Sequence, residues 1–320
     1  MNPRFTIGIP AYKASFLSEC IDSILSQTFK DFELIIVNDA SPENLDSIIS
    51  SYDDTRIRYY KNDKNCGAEN VIDNWNKCLS FANGDYFILM GDDDKLDEDY
   101  LSEFNKIITA NPEMNVYHCR SLIINEKSVP TTLTQKLPSH ESIIENMWHR
   151  LHGFRNQFIS DFVYKKQFLD DNNGFYKNKL AWASDDITSY IAMTEKGIVH
   201  TNSPLLHYRR STINITSSGS VQLKLKAVLN EYAWYQSFLE NYKPQTTTDI
   251  VLFDEIKSKL NKFKKKKIIE TISYSGIRKG SFLKDVLHWA RERNKYNLSL
   301  QEYIYLCILA YKKIKASEYF

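Results

Sequence analysis

The sequence predicts an α/β fold in which an open, mostly parallel sheet is flanked by helices and followed by a smaller C-terminal helical region. Three observations lead to this prediction. Short apolar runs alternate four times with helical patterns over the first 110 residues. One run, Phe32 to Val37, is almost continuously apolar, which is typical of a strand buried on both faces of a parallel sheet. From residue 221 onward the pattern is helical only.

The first part of the chain supplies the strands and helices of this sheet in alternation. Apolar residues recur at three- and four-residue spacing from Phe16 to Leu25, and Ser15 precedes them as the predicted N-cap. The predicted strands cover residues 5–9, 32–37, 57–60 and 86–90. The other predicted helices cover residues 44–52, 68–82 and 96–110.

Beyond residue 110 the pattern becomes mixed and then purely helical. We predict a polar loop up to Ser139, helices at 142–151 and 186–196, and strand-like pieces at 115–124, 157–163, 198–200 and 205–208. The last four predicted helices cover residues 221–242, 250–275, 282–294 and 300–315. The Ser/Gly-rich stretch 216–220 separates two predicted domains, residues 1–218 and residues 219–320.

The composition predicts a packed globular protein. Of 320 residues, 42% are hydrophobic and 25% charged, which excludes long disorder. The apolar stretches are shorter than the roughly 20 residues that a membrane span needs, and no signal-peptide pattern begins at Met1. We therefore expect a cytoplasmic protein. The five cysteines form no C-x-x-C pair, which disfavours a disulfide framework and a zinc cluster.

The two parts of the chain differ in charge. Residues 1–220 carry 22 Lys and Arg against 30 Asp and Glu, a net charge of −8, whereas residues 221–320 carry 19 against 10, a net charge of +9. Lys262 and Lys264–Lys267 lie beside Ile268 and Ile269. This pattern predicts peripheral contact with a membrane surface or a lipid-linked acceptor; the alternative is a solvated helix face. We expect no nucleic-acid partner, and the sequence leaves the oligomeric state open.

Three consecutive carboxylates follow the fourth predicted strand, in the segment Gly91-Asp92-Asp93-Asp94, and Asp39 follows the second. In open α/β sheets ligands bind beyond the carboxyl ends of strands. Adjacent carboxylates repel each other and are most readily held together around a cation such as Mg²⁺ or Mn²⁺. The alternative interpretation is that the three acids only begin the next helix.

Other phosphate- and metal-binding motifs are absent from the sequence. It contains no G-x-x-x-x-G-K-[ST] and no G-x-G-x-x-G, so P-loop hydrolysis and dinucleotide-dependent redox chemistry have no support. A calcium loop starting at Asp92 would place Asp97 where glycine is required.

A second set of candidate residues lies near residue 200. Asp185 and Asp186 begin a predicted helix, and His207, Arg209 and Arg210 follow a strand-like run. The basic residues can supply a ligand and positive charge for a phosphate. The alternative is that the acids only cap the helix and that the histidine is structural.

The order of these features resembles that of the family 2 glycosyltransferases, which have the GT-A fold. The resemblance spans about residues 4–215 and rests on six segments. These are Ile7-Gly-Ile-Pro-Ala-Tyr12, Leu34-Ile-Ile-Val-Asn-Asp39-Ala-Ser41, Asn65-Cys-Gly-Ala-Glu-Asn70, Gly84-Asp-Tyr-Phe-Ile-Leu-Met-Gly-Asp-Asp-Asp94, Asp185-Asp186 and His207-Tyr-Arg-Arg210. The family implies a nucleotide-sugar donor, usually a UDP-sugar, and Mn²⁺ or Mg²⁺ at a D-x-D-type motif. It also implies transfer with inversion to a glycan or lipid-linked acceptor, in bacterial surface or capsular polysaccharide synthesis.

By position, the resemblance places Pro10, Ala11 and Tyr12 against the nucleotide. It places Asp39 on the uracil edge, where a carboxylate can accept the imide N–H. Lys13 stands where the family commonly has Asn.

The same resemblance assigns the metal site. Asp93 becomes the metal ligand, Asp92 lies near the ribose or the metal, and Asp94 supports them. Gly91 replaces the first acid of the usual Asp-x-Asp-Asp motif. His207 becomes a further metal or diphosphate ligand.

The resemblance also assigns the catalytic groups. Asp186, eleven residues before Gly197, becomes the general base, with Asp185 beside it in place of the usual Glu. Arg209 and Arg210 become residues that bind the diphosphate. One base suffices for inversion, whereas a retaining route needs a second carboxylate as nucleophile, which the sequence leaves open.

Two other functions are alternatives to a glycosyltransferase. A sugar nucleotidyltransferase also needs an α/β sheet and a carboxylate-held Mg²⁺, but it usually has a Gly-rich loop after the first strand. Residues 10–14 contain no glycine. A catalytically silent module that binds nucleotide or glycan is the second alternative.

Overall fold

The structure is a computed structural model that describes residues 2–211 and 219–316. The chain divides into two compact units, Met1–Lys177 with Ala183–Ile215 and Asn178–Trp182 with Thr216–Phe320. The short segment Asn178–Trp182 therefore belongs with the C-terminal helices, although it lies between two parts of the first unit in the sequence.

In the first unit, ten strands of the described residues form one mixed sheet. They are β1 (Phe5–Ala11), β2 (Phe32–Asn38), β3 (Ile57–Lys61), β4 (Tyr86–Leu89), β5 (Lys95–Leu96), β6 (Val116–Ile124), β7 (Pro130–Leu133), β8 (His140–Glu141), β9 (Phe162–Lys165) and β10 (Ile198–Arg209). The main order is β3-β2-β1-β4-β9-β6-β10-β5, with β7 on β6 and β8 on β10.

The pairing of the first four strands sets the position of the site. β1 pairs in parallel with β2 on one side and β4 on the other, and β2 pairs in parallel with β3. The strand order therefore reverses at β1, and the loops after β2, β1 and β4 open at one edge of the sheet. β9 is antiparallel to both β4 and β6.

Seven α-helices of the described residues accompany the sheet. They are α1 (Leu17–Leu25), α2 (Leu45–Ile49), α3 (Val71–Ser80), α4 (Tyr100–Ala110), α5 (Ile143–His152), α6 (Lys166–Asp171) and α7 (Ser184–Met193). Every residue of β2 is buried, which confirms the prediction of a strand covered on both faces. The core joins Ile7, Leu34 and Ile88 from adjacent strands to Ile21 and Ile24 of α1.

The predicted N-cap of α1 and the predicted start of α4 are wrong. Phe16, not Ser15, is the N-cap of α1, and no side chain caps this helix. The helix predicted from Leu96 begins at Tyr100 because Leu96 pairs with β10 instead. The acidic segment therefore precedes a short strand and does not begin a helix.

The strands of the mixed region also differ from the prediction. The predicted polar loop contains β7, and the strand expected from Gln157 begins only at Phe162. The two strand-like pieces after Gly197 form one strand, β10, because register shifts between His200 and Leu206 keep both halves on β6.

The second unit contains four long helices among its described residues. They are α8 (Val221–Asn241), α9 (Thr247–Thr271), α10 (Phe282–Glu292) and α11 (Leu300–Ala316). This confirms the helical prediction for the described part of the C-terminal region. None of the helices in the described residues combines the length and the apolar character that crossing a membrane requires.

Candidate functional site

Three loops meet where β2, β1 and β4 end. β1 is followed by Tyr12 and Lys13, β2 by Asp39, and β4 by the acidic turn, Gly91–Asp94. Asp92 Oδ2 accepts hydrogen bonds from the backbone N–H groups of Tyr12 and Lys13, each at 2.8 Å. The parallel sheet thus brings together polar residues that are up to 80 positions apart in the sequence.

Two carboxylates of the acidic turn are buried and bound by the protein itself. Asp92 holds the loop after β1. Asp94 Oδ1 accepts the backbone N–H of Arg209 at 2.8 Å, and its Oδ2 lies 3.4 Å from the Ser160 hydroxyl. Burial raises the pKa of both carboxyl groups above its usual value, and the Asp93 charge raises it further.

Asp93 is the most accessible carboxylate of the turn, with 13% of its side chain exposed. Its Oδ2 contacts the Lys13 ammonium, which also lies 3.4 Å from Asp92 Oδ1. Burial opposes the charge on Lys13, but the two carboxylates raise the pKa of Lys13 above its usual value. Oδ1 of Asp93 makes no hydrogen bond within the described residues and is the oxygen of the turn that is available to a ligand.

Gly91 stands at a sterically restricted position. A Cβ at this position would lie 2.8 Å from Asp94 Oδ2, closer than real Cβ contacts. Asp94 has little freedom to move away because its other oxygen accepts the Arg209 N–H. The glycine therefore allows the Asp94 carboxylate to fold back against the turn.

Arg209 lies inside the protein, with a fully buried side chain. Its guanidinium donates to the Asp93 carbonyl at 2.7 Å, to Ser128 Oγ at 3.0 Å and to Glu19 Oε2 at 2.9 Å. These contacts fix the acidic turn from behind. The sequence predicts that Arg209 faces a diphosphate, but these contacts hold its guanidinium inside the protein. The neighbouring Arg210 is exposed.

His207 lies on β10, beside the short strand β5 that follows the acidic turn. It pairs with Lys95 of β5, and the charges that act on it are those of Asp97 and Lys95. Burial lowers the pKa of His207. No group of three or more His, Cys, Asp and Glu residues in 2–211 and 219–316 is arranged to hold a metal, so the predicted set of Asp93, Asp94 and His207 is not assembled.

The acid pair lies in the first turn of α7, where the two carboxylates have different surroundings. Both oxygens of Asp186 are bound by Arg150 of α5, from Nε at 3.0 Å and from Nη2 at 2.5 Å. Asp185 has no such ion pair within the described residues. Burial and the nearby Asp186 carboxylate raise the pKa of Asp185 to about 7, although the Arg150 charge acts in the opposite direction.

Tyr208 connects the two acidic groups electrostatically. Its ring stacks on Phe158 with the centroids 3.7 Å apart. Burial raises the pKa of the Tyr208 hydroxyl, and the carboxylates of Asp94, Asp93 and Asp185 raise it further. Tyr208 therefore lies within the field of both the acidic turn and the acid pair.

The Asp39 carboxylate is buried in the adjoining loop. Its Oδ1 accepts from the Asn62 amide at 2.8 Å, and both oxygens lie within 3.2 Å of the Cys66 backbone nitrogen. A carboxylate has about four acceptor positions, so Asp39 retains capacity for one more donor. Pro10 and Ala11 end β1 opposite Val37 and Asn38 of β2.

Sequence reasoning missed Arg150 and Ser160, and it assigned no role to Tyr208 although that residue lies within one of the six segments. Arg150 and Ser160 each bind a site residue at least 36 positions away in the chain. No motif marks these two residues, because their roles depend on how distant segments pack.

The chain is similar in sequence to known proteins. Residues 6–177, more than half of the chain, match the family model for glycosyl transferase family 2. The chain belongs to this family. It is 28% identical to chondroitin synthase of Pasteurella multocida over 269 residues, which are 75% of this chain and 27% of the synthase.

Two further relatives of this family 2 chain are glycosyltransferases by name. It is 29% identical to the GalNAc(5)-diNAcBac-PP-undecaprenol β-1,3-glucosyltransferase of Campylobacter jejuni over 183 residues, 55% of this chain and 57% of that one. It is also 34% identical to an uncharacterised glycosyltransferase of Rickettsia typhi over 133 residues, 40% of this chain and 39% of that one. The chain thus spans 27% to 57% of the length of these relatives.

Solved structures show the same fold. TarS 1–349 of S. aureus, in complex with UDP-GlcNAc, aligns with a TM-score of 0.63 at 14% identity, covering 99% of this chain and 92% of that one. The mannosyltransferase PcManGT of Pyrobaculum calidifontis, in complex with GDP-Man and Mn²⁺, aligns with a TM-score of 0.56 at 14% identity, covering 98% and 87%. The prediction of a GT-A fold is confirmed.

Proposed function

We propose that this chain transfers a sugar from a nucleoside-diphosphate sugar, a UDP-sugar, to a hydroxyl group of a glycan or lipid-linked acceptor, with inversion. The observation that carries the proposal is the acidic turn at the strand-order reversal, next to the loops after β1 and β2. The ligands of TarS and PcManGT support a nucleotide-sugar donor and a metal. The family supports a glycosyltransferase over a sugar nucleotidyltransferase. The chondroitin synthase relative supports a role in bacterial surface polysaccharide synthesis.

Donor binding is proposed at the loops after β1 and β2. Tyr12 is 42% exposed, which gives the base or ribose an aromatic surface. The remaining acceptor position of Asp39 is suited to the uracil imide N–H. Both residues lie at the carboxyl ends of neighbouring parallel strands.

The acidic turn fits a divalent metal held by one protein carboxylate. Mg²⁺ and Mn²⁺ are commonly bound by one or two carboxylates, with substrate phosphates at other positions. Asp93 offers such an oxygen, whereas Asp92 and Asp94 are occupied as acceptors of backbone N–H groups. A bound metal would neutralise charge on the departing diphosphate.

We assign the general base to Asp185 and not to Asp186. Arg150 binds both oxygens of Asp186, which holds that carboxylate in place and competes with a substrate proton. Asp185 accepts the proton of the acceptor hydroxyl while the hydroxyl oxygen of the acceptor bonds to the anomeric carbon. The bond from that carbon to the diphosphate breaks, and the electron pair leaves with the diphosphate, near the positive charges of Lys13 and Arg210.

The proposed function is tested by nucleotide release and nucleotide binding with the Asp93→Asn variant. We expect wild type to release UDP from a UDP-sugar when Mn²⁺ and a mixture of glycan acceptors are present. Asp93→Asn should weaken UDP binding at least about tenfold in Mn²⁺, because the variant loses its accessible anionic ligand, and change it little in EDTA. Calorimetric titration with UDP measures the affinity in Mn²⁺ and in EDTA.

Glu98→Gln is the matched control, because Glu98 is exposed and lies outside the acidic turn. It should bind UDP as wild type does. Equal affinity of Asp93→Asn and wild type in Mn²⁺ would remove the metal role of Asp93. Nucleotide binding without release from any donor would indicate a silent binding module.

Membrane contact is proposed at a different surface from the one that the sequence indicates. Ile268 and Ile269 are buried, and Lys265 and Lys267 form ion pairs with Glu302 and Glu231. The large apolar side chains exposed in the helical unit include a set on α10 and α11, which we call the apolar face. Its members are Leu283, Leu287, Leu300, Ile304, Ile308 and Tyr311, each at least 46% exposed.

The spacing of these residues places those of each helix on one side of it. The two helices pack together, since Tyr303 donates to the Val286 carbonyl and the rings of Phe282 and Tyr311 lie 6.4 Å apart. Exposed Lys284 and Lys312 accompany the face, in a region with a net charge of +9. An apolar face with basic surroundings is suited to the surface of an anionic bilayer.

Replacing Leu283 and Leu287 by Glu should weaken vesicle binding. We expect wild type to co-sediment at low salt with vesicles of phosphatidylcholine and phosphatidylglycerol, and less at high salt. The double variant should lose at least tenfold in affinity, because burying each leucine contributes about 1.5–3 kcal/mol. Val251→Glu, at a 62% exposed position on α9, is the control and should bind as wild type. Absence of wild-type binding at low salt would contradict the proposal.

A further inference from the structure

Two histidines contact each other in the interior of the first unit. His118 of β6 and His200 of β10 are 1% and 4% exposed, and they are partners in the register of the two strands. Their Nδ1 atoms lie 3.2 Å apart. A ring nitrogen accepts a hydrogen bond only when it carries no proton, so the two rings share a single proton between them.

A buried carboxylate lies beside the other nitrogen of each ring. His200 Nε2 lies 2.9 Å from Glu141 Oε1, and His118 Nε2 lies 3.4 Å from Asp161 Oδ2. Both carboxylates are at most 1% exposed. We call these four residues, which follow one another in the order Asp161, His118, His200 and Glu141, the histidine network.

Glu141 is the ionised end of this network. Burial opposes its charge, but the hydrogen bonds and charges of His200 and Arg155 lower the pKa of Glu141 to about 2. His200 therefore carries a proton on Nε2, which it donates to the carboxylate. Burial lowers the pKa of His200 to about 4, so at neutral pH this ring is uncharged and its Nδ1 accepts from His118.

Asp161 determines the protonation of the second ring. Its Oδ1 accepts from the Ser121 hydroxyl, and its Oδ2 accepts the Phe158 backbone N–H at 2.7 Å. Both oxygens thus act as acceptors, as in an ionised carboxylate. His118 needs a proton on Nε2, since its lone pair would otherwise face Asp161 Oδ2. Because its Nδ1 also donates, to His200, the His118 ring is an imidazolium.

The charges of the buried groups then balance. Asp161 and Glu141 contribute two negative charges. Arg155, which is 5% exposed and donates to Glu141, contributes one positive charge, and His118 contributes the other. Removing one partner of a buried ion pair leaves an uncompensated charge and is strongly destabilising. Neutral rings at both positions would leave the region with one unpaired carboxylate.

Asp161 connects this network to the acidic turn. Its backbone N–H donates to the Phe158 carbonyl at 3.0 Å, and its side chain accepts the Phe158 N–H, so it fixes the residues between them. One of these is Ser160, whose Oγ accepts the Gly91 N–H at 3.1 Å and lies 3.4 Å from Asp94 Oδ2. Burial raises the pKa of Asp94, and the Asp161 charge adds to this effect.

We propose that His118 is a buried imidazolium whose charge holds residues 158–161 against the acidic turn, and that it is a positioning residue for the transfer proposed above. The positioning role rests on the proposed function, whereas the charge does not. Without the charge, the Asp161 carboxylate has no cation beside it in the interior. Ser160 then loses its fixed place against Gly91, and the turn that presents Asp93 is no longer held in one position.

The charge is tested by two-bond ¹H–¹⁵N correlation NMR of the full chain, labelled with ¹⁵N-histidine, at pH 7. We expect one histidine with both ring nitrogens protonated and one with Nε2 alone protonated. His118→Gln should remove the first set of signals and shift the second. His288→Gln, at an exposed position of α10, is the control and should leave both sets unchanged. A neutral His118 ring in wild type overturns the proposal.

The positioning role is tested with His118→Gln, Asp161→Asn and the double variant. His118→Gln should weaken UDP binding in Mn²⁺ about tenfold, because it leaves the Asp161 carboxylate buried without its cation. Asp161→Asn keeps an oxygen that accepts the Phe158 N–H. The double variant should therefore recover UDP affinity to within about threefold of wild type and be more stable than His118→Gln. Calorimetric titration and urea unfolding measure the two quantities.

Ile108→Ala separates positioning from a general loss of stability. Ile108 is fully buried in α4, so this variant should be less stable than wild type and still bind UDP with wild-type affinity. Unchanged UDP affinity of folded His118→Gln, or no recovery in the double variant, overturns the positioning role. If wild type binds no UDP, the proposed function fails and the positioning role with it, while the NMR spectrum still decides the charge on His118.

Discussion

Asp185→Asn is expected to lose sugar transfer by a factor of about 10² to 10⁴ while it stays folded and binds nucleotide. Loss of a positioned base typically costs this much, roughly 3 to 5 kcal/mol of barrier. Asparagine keeps the size and one oxygen of the side chain but cannot accept the proton. Initial rates of UDP release with acceptor, together with calorimetric UDP binding, measure the two effects separately.

The pH dependence of transfer follows from the same group. The carboxylate must be ionised to act as a base, and its pKa is raised to about 7. The rate should therefore fall as the pH drops below 7, and Asp185→Asn should lose this dependence. The titratable or charged groups that interact with Asp185 are Asp186, Arg150, Tyr164 and Tyr208, of which Arg150 alone opposes the raised pKa.

The free energy of unfolding should change with pH in the opposite direction to the rate. A folded-state pKa above the unfolded value of 3.8 gives stability that is fully present below that value and is lost as the pH rises toward 7. Above pH 7 the native state holds an unfavourable charge at this partly buried position. Asp185→Asn removes this charge, so the variant should be at least as stable as wild type at pH 8, as measured by urea unfolding.

Asp186→Asn is the matched comparison. It leaves Arg150 without the carboxylate that binds it at two points, so a loss of about 1 kcal/mol or more in the free energy of unfolding is expected. If Asp186→Asn abolishes transfer at unchanged stability while Asp185→Asn stays within tenfold of wild type, Asp186 is the base, as the family motif implies.

The sequence predicted the sheet well because its central strands have a strong local signal. β2 is a continuous apolar run, and the polar residues that end β1, β2 and β4 follow apolar segments directly. Parallel pairing then requires these ends to share one edge. Glycine at position 197 also has a steric cause, since a Cβ there would lie 2.2 Å from the Glu141 carbonyl oxygen.

The roles of individual charged residues could not be predicted in the same way. Asp185 and Asp186 are adjacent and of the same residue type, as are Arg209 and Arg210, so the sequence does not distinguish their roles. In a helix or a strand, adjacent side chains point in different directions and have different surroundings. Which one is paired depends on side chains from distant segments, such as Arg150 and Glu19. A motif therefore identifies the segment, and packing decides which residue of it faces the ligand.

Arg209→Met is expected to lower the free energy of unfolding by about 3–5 kcal/mol, the usual cost of removing one partner from a buried charged network. The variant keeps the aliphatic length but removes the donor to the Asp93 carbonyl and to Ser128, and it leaves the Glu19 carboxylate with Ser128 and Lys95 as partners. It also loses the contact of the guanidinium with the Phe16 ring, 4.1 Å away. Urea unfolding followed by circular dichroism measures the change.

Arg210→Met should change stability little and activity strongly, the reverse of what is expected for Arg209→Met. Arg210 is exposed, so its replacement should change the free energy of unfolding by no more than about 0.5 kcal/mol. If it contacts the diphosphate, the loss of a charge-assisted hydrogen bond should lower kcat/KM about 10- to 100-fold. Nearly wild-type stability of Arg209→Met together with strongly reduced donor binding would return Arg209 to the phosphate-binding role. The pair of variants thus separates support of the acidic turn from contact with the substrate at two consecutive positions of β10.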